Sequence, residues 1–181
     1  MMLILLAGMP GAGKEEFLKI ARKEEYDIVR MGDVVRRRAE KKGISEKDIG
    51  TFANREREEH HGGIWADRTL SVLKEDRTVI DGIRSQSEVS IFKSELDREA
   101  NIVAIHASPE TRFERLKERG REDLPQTWEE FRDRDKRELD WGLGKVIARA
   151  DHMIVNEGSL KEMHEKSREL LEKLELEYED D

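Results

Sequence analysis

The residues best suited to chemistry stand near the start of the chain, in the run Gly8-Met9-Pro10-Gly11-Ala12-Gly13-Lys14. A glycine, four intervening residues, then Gly-Lys is the spacing of a phosphate-binding loop, the Walker A pattern. Glycines let successive backbone N–H groups turn inward around phosphate oxygens, and a helix starting at the loop's end adds positive potential. Lys14 would reach the β- and γ-phosphates as a point charge, which makes it both a binding and a catalytic candidate. The expected ligand is ATP with Mg²⁺. A plain glycine-rich turn bearing an exposed lysine is the bland alternative, but it does not account for the spacing.

Position 15 departs from the motif. A Ser or Thr there normally ligates magnesium, and this chain has Glu15 followed by Glu16. In adenylate kinases a Gly fills the first slot and a Thr the second, so neither hydroxyl is present here. Acids are favourable in a helix's first turn, which is one account of Glu15. The other makes it a metal ligand beside the triphosphate.

Three further groups would serve a phosphoryl acceptor and the metal. Gly32-Asp33-Val34-Val35-Arg36 resembles the Thr-Gly-Asp-x-x-Arg stretch of nucleoside-monophosphate kinases, with Met31 in place of the Thr. The resemblance implies that Arg36 grips the acceptor phosphate, a task suited to a planar guanidinium fork. Asp33 would be the general base if the acceptor is a hydroxyl. Val79-Ile80-Asp81-Gly82-Ile83-Arg84 reads as a strand ending in an acid, where ligands gather in a parallel sheet. It resembles the Asp-Gly-Phe-Pro-Arg of adenylate kinases, one residue short, so Asp81 is the expected metal partner and Arg84 an acceptor contact.

Arginines recur further on, at 112, 115, 119, 121, 132, 134 and 137. Arginines that close over a transferred phosphoryl group stabilise its charge. Arg119, Arg121 and Arg134 are the expected lid residues. Arg112, Arg115 and Arg132 read instead as a solvated face laced with Glu–Arg pairs. His60 and His61 are adjacent, too close in sequence to ligate one metal from a helix, and mark a helix end. Trp65, Trp128 and Trp141 read as packing anchors.

These groups need a scaffold, and the hydrophobic pattern supplies one. Short apolar runs at Met2–Ala7, Asp27–Arg30, Thr78–Asp81, Ile102–Ala107 and His152–Val155 read as buried strands. Helices are expected to start at Ser108, with Pro109 at the first position, and at Thr127 and Ser159, each with capping-box spacing. Gly120 is expected to close the helix that begins at Ser108. Alternating strands and helices imply a parallel sheet covered on both faces. Residues 43–75 carry helical signals and no strand.

Ala107-Ser108-Pro109-Glu110-Thr111-Arg112-Phe113, Arg134-Asp135-x-x-Glu138-Leu139 and Trp141-Gly142-Leu143-Gly144, taken with Asp81-Gly82-Ile83-Arg84, resemble a family of archaeal proteins. Those proteins are described as nucleotide-kinase-like and related to adenylate kinases. The resemblance covers essentially the whole chain. It implies the P-loop NTPase fold of nucleoside-monophosphate kinases: α/β, a five-stranded parallel sheet, a helical acceptor-binding insert over about 33–75 and a helical lid over about 119–143, all in one domain of residues 1–181. The segment from Ala150 to Gly158 resembles the end of dephospho-coenzyme A kinases, which implies that Asn156 lies near the adenine. The implied activity is transfer of the γ-phosphate of ATP to a nucleotide-like acceptor. A nucleotide-dependent regulator or slow ATPase, and a kinase of a hydroxyl like that of dephospho-coenzyme A, are the alternatives.

Composition narrows the partners. The chain has 181 residues, 42% of them charged, and a net charge of −8 with acids and bases interspersed. Such a balance gives no overall basic face for nucleic acid. With no cysteine, disulfides and thiolate metal sites are excluded. The apolar start is far short of the roughly 20 residues that span a bilayer, so a cytoplasmic protein acting on small nucleotides is expected.

Overall fold

The computed structural model describes residues 2–74, 77–95, 100–119 and 124–179. Five strands form one sheet in the order β2-β3-β1-β4-β5, every neighbouring pair parallel. They are β1 (Met2–Ala7), β2 (Asp27–Arg30), β3 (Arg77–Asp81), β4 (Ala100–His106) and β5 (His152–Val155). β4 starts two residues before the apolar run suggests. Ala100 and Asn101 are already in register with Leu3 and Ile4, and the polar Asn101 hid that pairing.

β1 lies at the centre and is buried along its whole length. Its side chains alternate between two cores, as the strand period of two demands. Leu3, Leu5 and Ala7 enter one core; Met2, Ile4 and Leu6 enter the other. The second is closed by α1 (Lys14–Lys23) and the long α9 (Leu160–Glu179), through Phe17, Leu18, Met163 and Leu171. The first is covered by α2 (Met31–Lys41), α3 (Ile49–Glu59), α4 (Ile64–Leu70), α5 (Gln86–Glu95) and α8 (Leu143–Ala148).

Between β2 and β3 the chain makes a 3-10 turn at Glu46–Asp48, then α3 and α4. α3 ends at Glu59 with His60 as its C-cap, the helix end that the adjacent histidines mark. Trp65 is fully buried and donates its Nε1–H to the Ala53 carbonyl at 3.1 Å, which staples α4 to α3.

α6 (Pro109–Glu118) and α7 (Trp128–Asp140) share a small third core of Phe113, Leu116, Leu124 and Phe131. Trp128 stacks on Phe131 at 5.0 Å between centroids. The expected caps are present. Ser108 Oγ accepts from the Thr111 amide, Thr127 and Glu130 form a reciprocal capping box, and Ser159 and Glu162 do the same. Two such bonds satisfy amides that a helix start leaves orphaned. The expected closure at Gly120 lies outside the described residues.

Candidate active site

Parallel register assembles the site. Leu6 pairs with Asp81, so the carboxyl ends of β1 and β3 lie side by side and Asp81 stands next to the start of the glycine-rich loop. Two loop positions require glycine. Gly11 has φ 84°, and a Cβ there would stand 2.7 Å from the Arg112 carbonyl oxygen. Gly13 has φ 105°, and its Cβ would collide with the Asn156 amide. Both lie in the left-handed region that side chains avoid.

Lys14, the first residue of α1, donates its Nζ to the Gly8 carbonyl at 2.6 Å. Burial pushes its amine below the ordinary 10.5. The Asp81 and Glu138 carboxylates oppose that shift, while Arg84 and Arg119 add to it. Asp81 Oδ1 is buried and has no hydrogen-bond partner, and Oδ2 is 3.8 Å from Arg30 Nε. A buried anionic oxygen without a donor is costly, and a hard cation is the group that would satisfy it. Among the described residues no cluster of three or more His, Cys, Asp or Glu is placed to hold a metal. One carboxylate with phosphate oxygens and waters fits Mg²⁺ at a nucleotide.

A cavity of about 260 Å³ opens beside Lys14 and Asp81. Its charged lining is Lys14, five arginines (Arg30, Arg36, Arg57, Arg84 and Arg134), and two carboxylates, Asp81 and Glu138. Several of these side chains are held in place. Arg84 Nε is 3.1 Å from Glu138, and its Cζ lies 4.9 Å from the Trp141 ring centre. Arg57 approaches the same ring at 5.7 Å and pairs with Glu88 at 3.5 Å. Glu88 is fully buried and accepts from the backbone amides of Arg84 and Ser85 at 2.7 and 3.1 Å. Burial pushes its carboxyl up, against the pull of Arg57 and the Arg84 amide.

Of the residues expected from sequence, the structure brings Gly8, Pro10, Lys14, Asp81, Arg36, Arg84 and Arg134 to this cavity. Asp33 is not among its lining residues; its carboxylate pairs with Arg36. Glu15 likewise points elsewhere, with Oε2 accepting from Arg30 at 2.5 Å and Oε1 lying 3.5 Å from Arg22. Arg121 lies outside the described residues. Arg119 and Asn156 line a second cavity of about 470 Å³ at the other end of the loop, beside Gly13 and Met163. Asn156 is buried there and donates its Nδ2 to the Ala12 carbonyl at 2.8 Å, tying the loop to the end of β5.

One expectation fails outright. Arg112 is no solvated residue: it is 4% exposed. It donates to the carbonyls of Pro10 and Ala107 and makes two bonds, of 2.7 and 2.5 Å, to Asp135. Arg115 is also half-buried, with Nη1 fully enclosed. Arg132 is exposed, as expected. The bland view of Arg112 weighed only neighbours on its own helix, whereas its partners come from the phosphate loop and α7. Arg57 was missed altogether. It sits among Glu56, Glu58 and Glu59, which look solvated, yet it follows the buried Phe52, Ala53 and Glu56 on one stripe of α3.

A five-stranded parallel sheet with a glycine-rich loop leaving its central strand, and Lys14 and Asp81 at the loop's mouth, defines a P-loop kinase-like nucleotide-binding fold. The sequence then fixes the lineage. The chain belongs to the archaeal UPF0200 proteins and, through residues 7–132, to the AAA domain family. The UPF0200 protein of Hyperthermus butylicus is 46% identical over 178 residues, covering 96% of this chain and 95% of that one. That of Methanopyrus kandleri is 48% identical over 178 residues, covering 92% and 87%. Among solved structures, shikimate kinase from Bacteroides thetaiotaomicron superposes with a TM-score of 0.66 at 18% identity, covering 94% of this chain and 98% of that one. Shikimate kinase from Acinetobacter baumannii, in complex with shikimate, gives 0.65 at 14% identity, covering 96% and 94%. At such identities the likeness is one of fold. Among the described residues no helix is long and apolar enough to cross a membrane.

Proposed function

We propose that this protein is a phosphotransferase that moves the γ-phosphate of ATP to a phosphate-bearing, nucleotide-like acceptor. The observation that carries this reading is the cavity beside Lys14, into which six cations and two carboxylates converge, with Glu15, Asp33 and Glu88 pairing Arg30, Arg36 and Arg57 from outside its lining. A row of guanidinium forks along one wall suits the oxygens of an acceptor phosphate better than a neutral acceptor.

Loop amides and Lys14 hold the β- and γ-phosphates, while the larger cavity beside Asn156 and Arg119 takes the nucleoside end of ATP. Asp81 would hold Mg²⁺, which when bound neutralises charge on the phosphate oxygens. Arg36, Arg57 and Arg84 hold the acceptor's phosphate, with Glu88 positioning both Arg57 and the Arg84 backbone. Arg134, with Arg119 and Arg121 from the segment around 119–143, supplies positive charge to the phosphoryl group in flight. An ionised phosphate oxygen attacks without a general base, which agrees with an Asp33 engaged by Arg36 rather than facing the cavity.

Multiple-turnover assays with ATP or GTP against a panel of nucleoside monophosphates and dephospho-coenzyme A test the reading. Product formed from a monophosphate supports it. Phosphorylation of dephospho-coenzyme A alone would return Asp33 to the role of base. Slow hydrolysis that no acceptor stimulates would instead favour a nucleotide-dependent regulator. The observation on that side is the missing hydroxyl after Lys14, which removes a ligand that magnesium has in the motif.

A further inference from the structure

The second half of α2 carries cations that the reaction does not use. Arg37, Arg38 and Lys41 face Arg68 and Ser71 across a concavity of about 210 Å³ between α2 and the end of α4, floored by Val34 and Val72. Its lining includes no carboxylate. Among the described residues, Arg38 and Lys41 make no side-chain ion pair, and Arg37 is engaged only by the Asp33 carbonyl, at 3.3 Å from its Nε. Arg68 is committed on one side, with Nη2 bonded to the buried Glu56 and its Cζ 4.7 Å from the Trp65 ring centre. Its Nη1 has no partner. Ser71 Oγ spends its one hydrogen on the Arg68 carbonyl, at 2.9 Å, so the cations and not the hydroxyl would donate to an anion.

In a chain of net charge −8, three cations without an ion pair, beside an Arg68 that Glu56 neutralises in part, form a local anion trap around one hollow. The hollow is smaller than the roughly 300–1,000 Å³ of sites that enclose a drug-sized ligand. It suits a phosphate or diphosphate group, which arginine forks and a lysine bind through charge-assisted hydrogen bonds. An extended nucleic-acid backbone would have to lie along a surface that is acidic overall.

We propose that this hollow is a second anion site, distinct from the nucleotide site, that takes a phosphate- or diphosphate-bearing small molecule. It shares structure with the acceptor cavity. The first half of α2 lines that cavity through Gly32, Val35 and Arg36, and Trp65 lines the cavity while stacking under Arg68.

Isothermal titration tests the site on the full chain, with a non-hydrolysable ATP analogue and Mg²⁺ present to fill the loop. Pyrophosphate and, separately, ribose 5-phosphate are the probes. The expected result is a binding event that Arg38→Glu/Lys41→Glu weakens by about tenfold or more, two charge-assisted contacts being lost. The same event should survive Arg57→Ala, which alters the acceptor cavity instead. Binding of pyrophosphate alone, or of both probes, supports the site and tells a free diphosphate from a phosphomonoester as its ligand. An event that the charge reversal leaves unchanged, or no event beyond the one that Arg57→Ala removes, overturns it. So does charge-dependent binding of a short single-stranded RNA with no binding of either small probe. The neutral variant Arg38→Gln/Lys41→Gln, checked by circular dichroism, guards against a folding defect in the charge-reversed chain.

Discussion

Removing the Asp135 carboxylate should destabilise the protein by about 3 kcal/mol, the lower end of the cost of breaking one side of a buried ion pair. The Arg112 side chain is 5% exposed and that of Asp135 15%, and two hydrogen bonds join them. In Asp135→Ala the guanidinium keeps the carbonyls of Pro10 and Ala107 and its contact with Phe131, 5.0 Å from Cζ to ring centre. It loses its counter-charge in a place largely shielded from water. Asp135 is slightly more open than its partner, which lets water relieve part of the penalty and places the cost at the lower end. At roughly 2–4 °C per kcal/mol for a chain of this size, Tm should fall by about 6–12 °C. Urea unfolding and calorimetry measure both quantities. Arg112→Met/Asp135→Leu should recover most of the loss, since replacing both charges by apolar groups leaves no ion uncompensated. A loss under about 1 kcal/mol, the size expected of an exposed pair, would refute the reasoning. A double variant no more stable than the sum of its parts would do so too.

Other outcomes follow from the same geometry. Lys14→Ala should abolish ATP binding in titration while leaving the unfolding midpoint nearly unchanged. Because burial holds the Lys14 amine below the ordinary 10.5 in the free protein, and phosphate oxygens favour the ammonium form, ATP binding should take up protons at alkaline pH. Affinity should then fall as pH rises, which titration in buffers of different ionisation enthalpy detects. Arg57→Ala and Arg36→Ala should each raise the acceptor's KM by about tenfold and spare ATP affinity, as loss of a contact made equally in the ground and transition states does. Glu56 is held down to about 2 by its hydrogen bond from Lys42, aided by Arg68 and opposed by burial. Its stabilising contribution is therefore complete above the ordinary 4.5 and is lost as pH falls from there to about 2. Glu56→Gln should flatten the acid side of a stability-against-pH curve in that window. Glu15→Ser should weaken the magnesium dependence of ATP binding, and adding Arg30→Gln should restore it; a magnesium titration on both variants reads this.

The parts legible in the sequence were those set by local rules. The glycine-rich loop, the strand before it and the capped helix starts each depend on residues within a few positions of one another, so spacing suffices. Asp81 was legible for a related reason: a strand that ends in an acid delivers it to the carboxyl edge of the sheet wherever the strand pairs. Arg57 and Arg112 were not legible, because their surroundings come from far along the chain. Arg112 meets Pro10 and Asp135, 102 and 23 residues away. Arg57 meets Glu88, 31 residues away. Each looks solvated on its own helix, and Arg112 becomes buried and Arg57 half-buried only when a second element arrives with a carboxylate. The one local hint was periodicity: position 57 is four beyond the buried Ala53 on α3.

Position 15 shows why a departure from a motif has to be judged together with its neighbours. Taken alone, a glutamate in place of the hydroxyl crowds negative charge toward a triphosphate. In the fold its carboxylate turns away from the cavity onto Arg30, which in turn lies 3.8 Å from Asp81. Arg30 is thus held between two acids on the same edge of the sheet. Were Glu15 absent, Arg30 would be free to pair fully with Asp81 and compete with a cation for its oxygens. With Glu15 present, the guanidinium is drawn aside and Asp81 Oδ1 is left without a donor. If Asp81 holds magnesium as proposed, the substitution that removes one ligand from the motif keeps another one open, and a serine restored at position 15 without changing Arg30 would undo that arrangement rather than repair it.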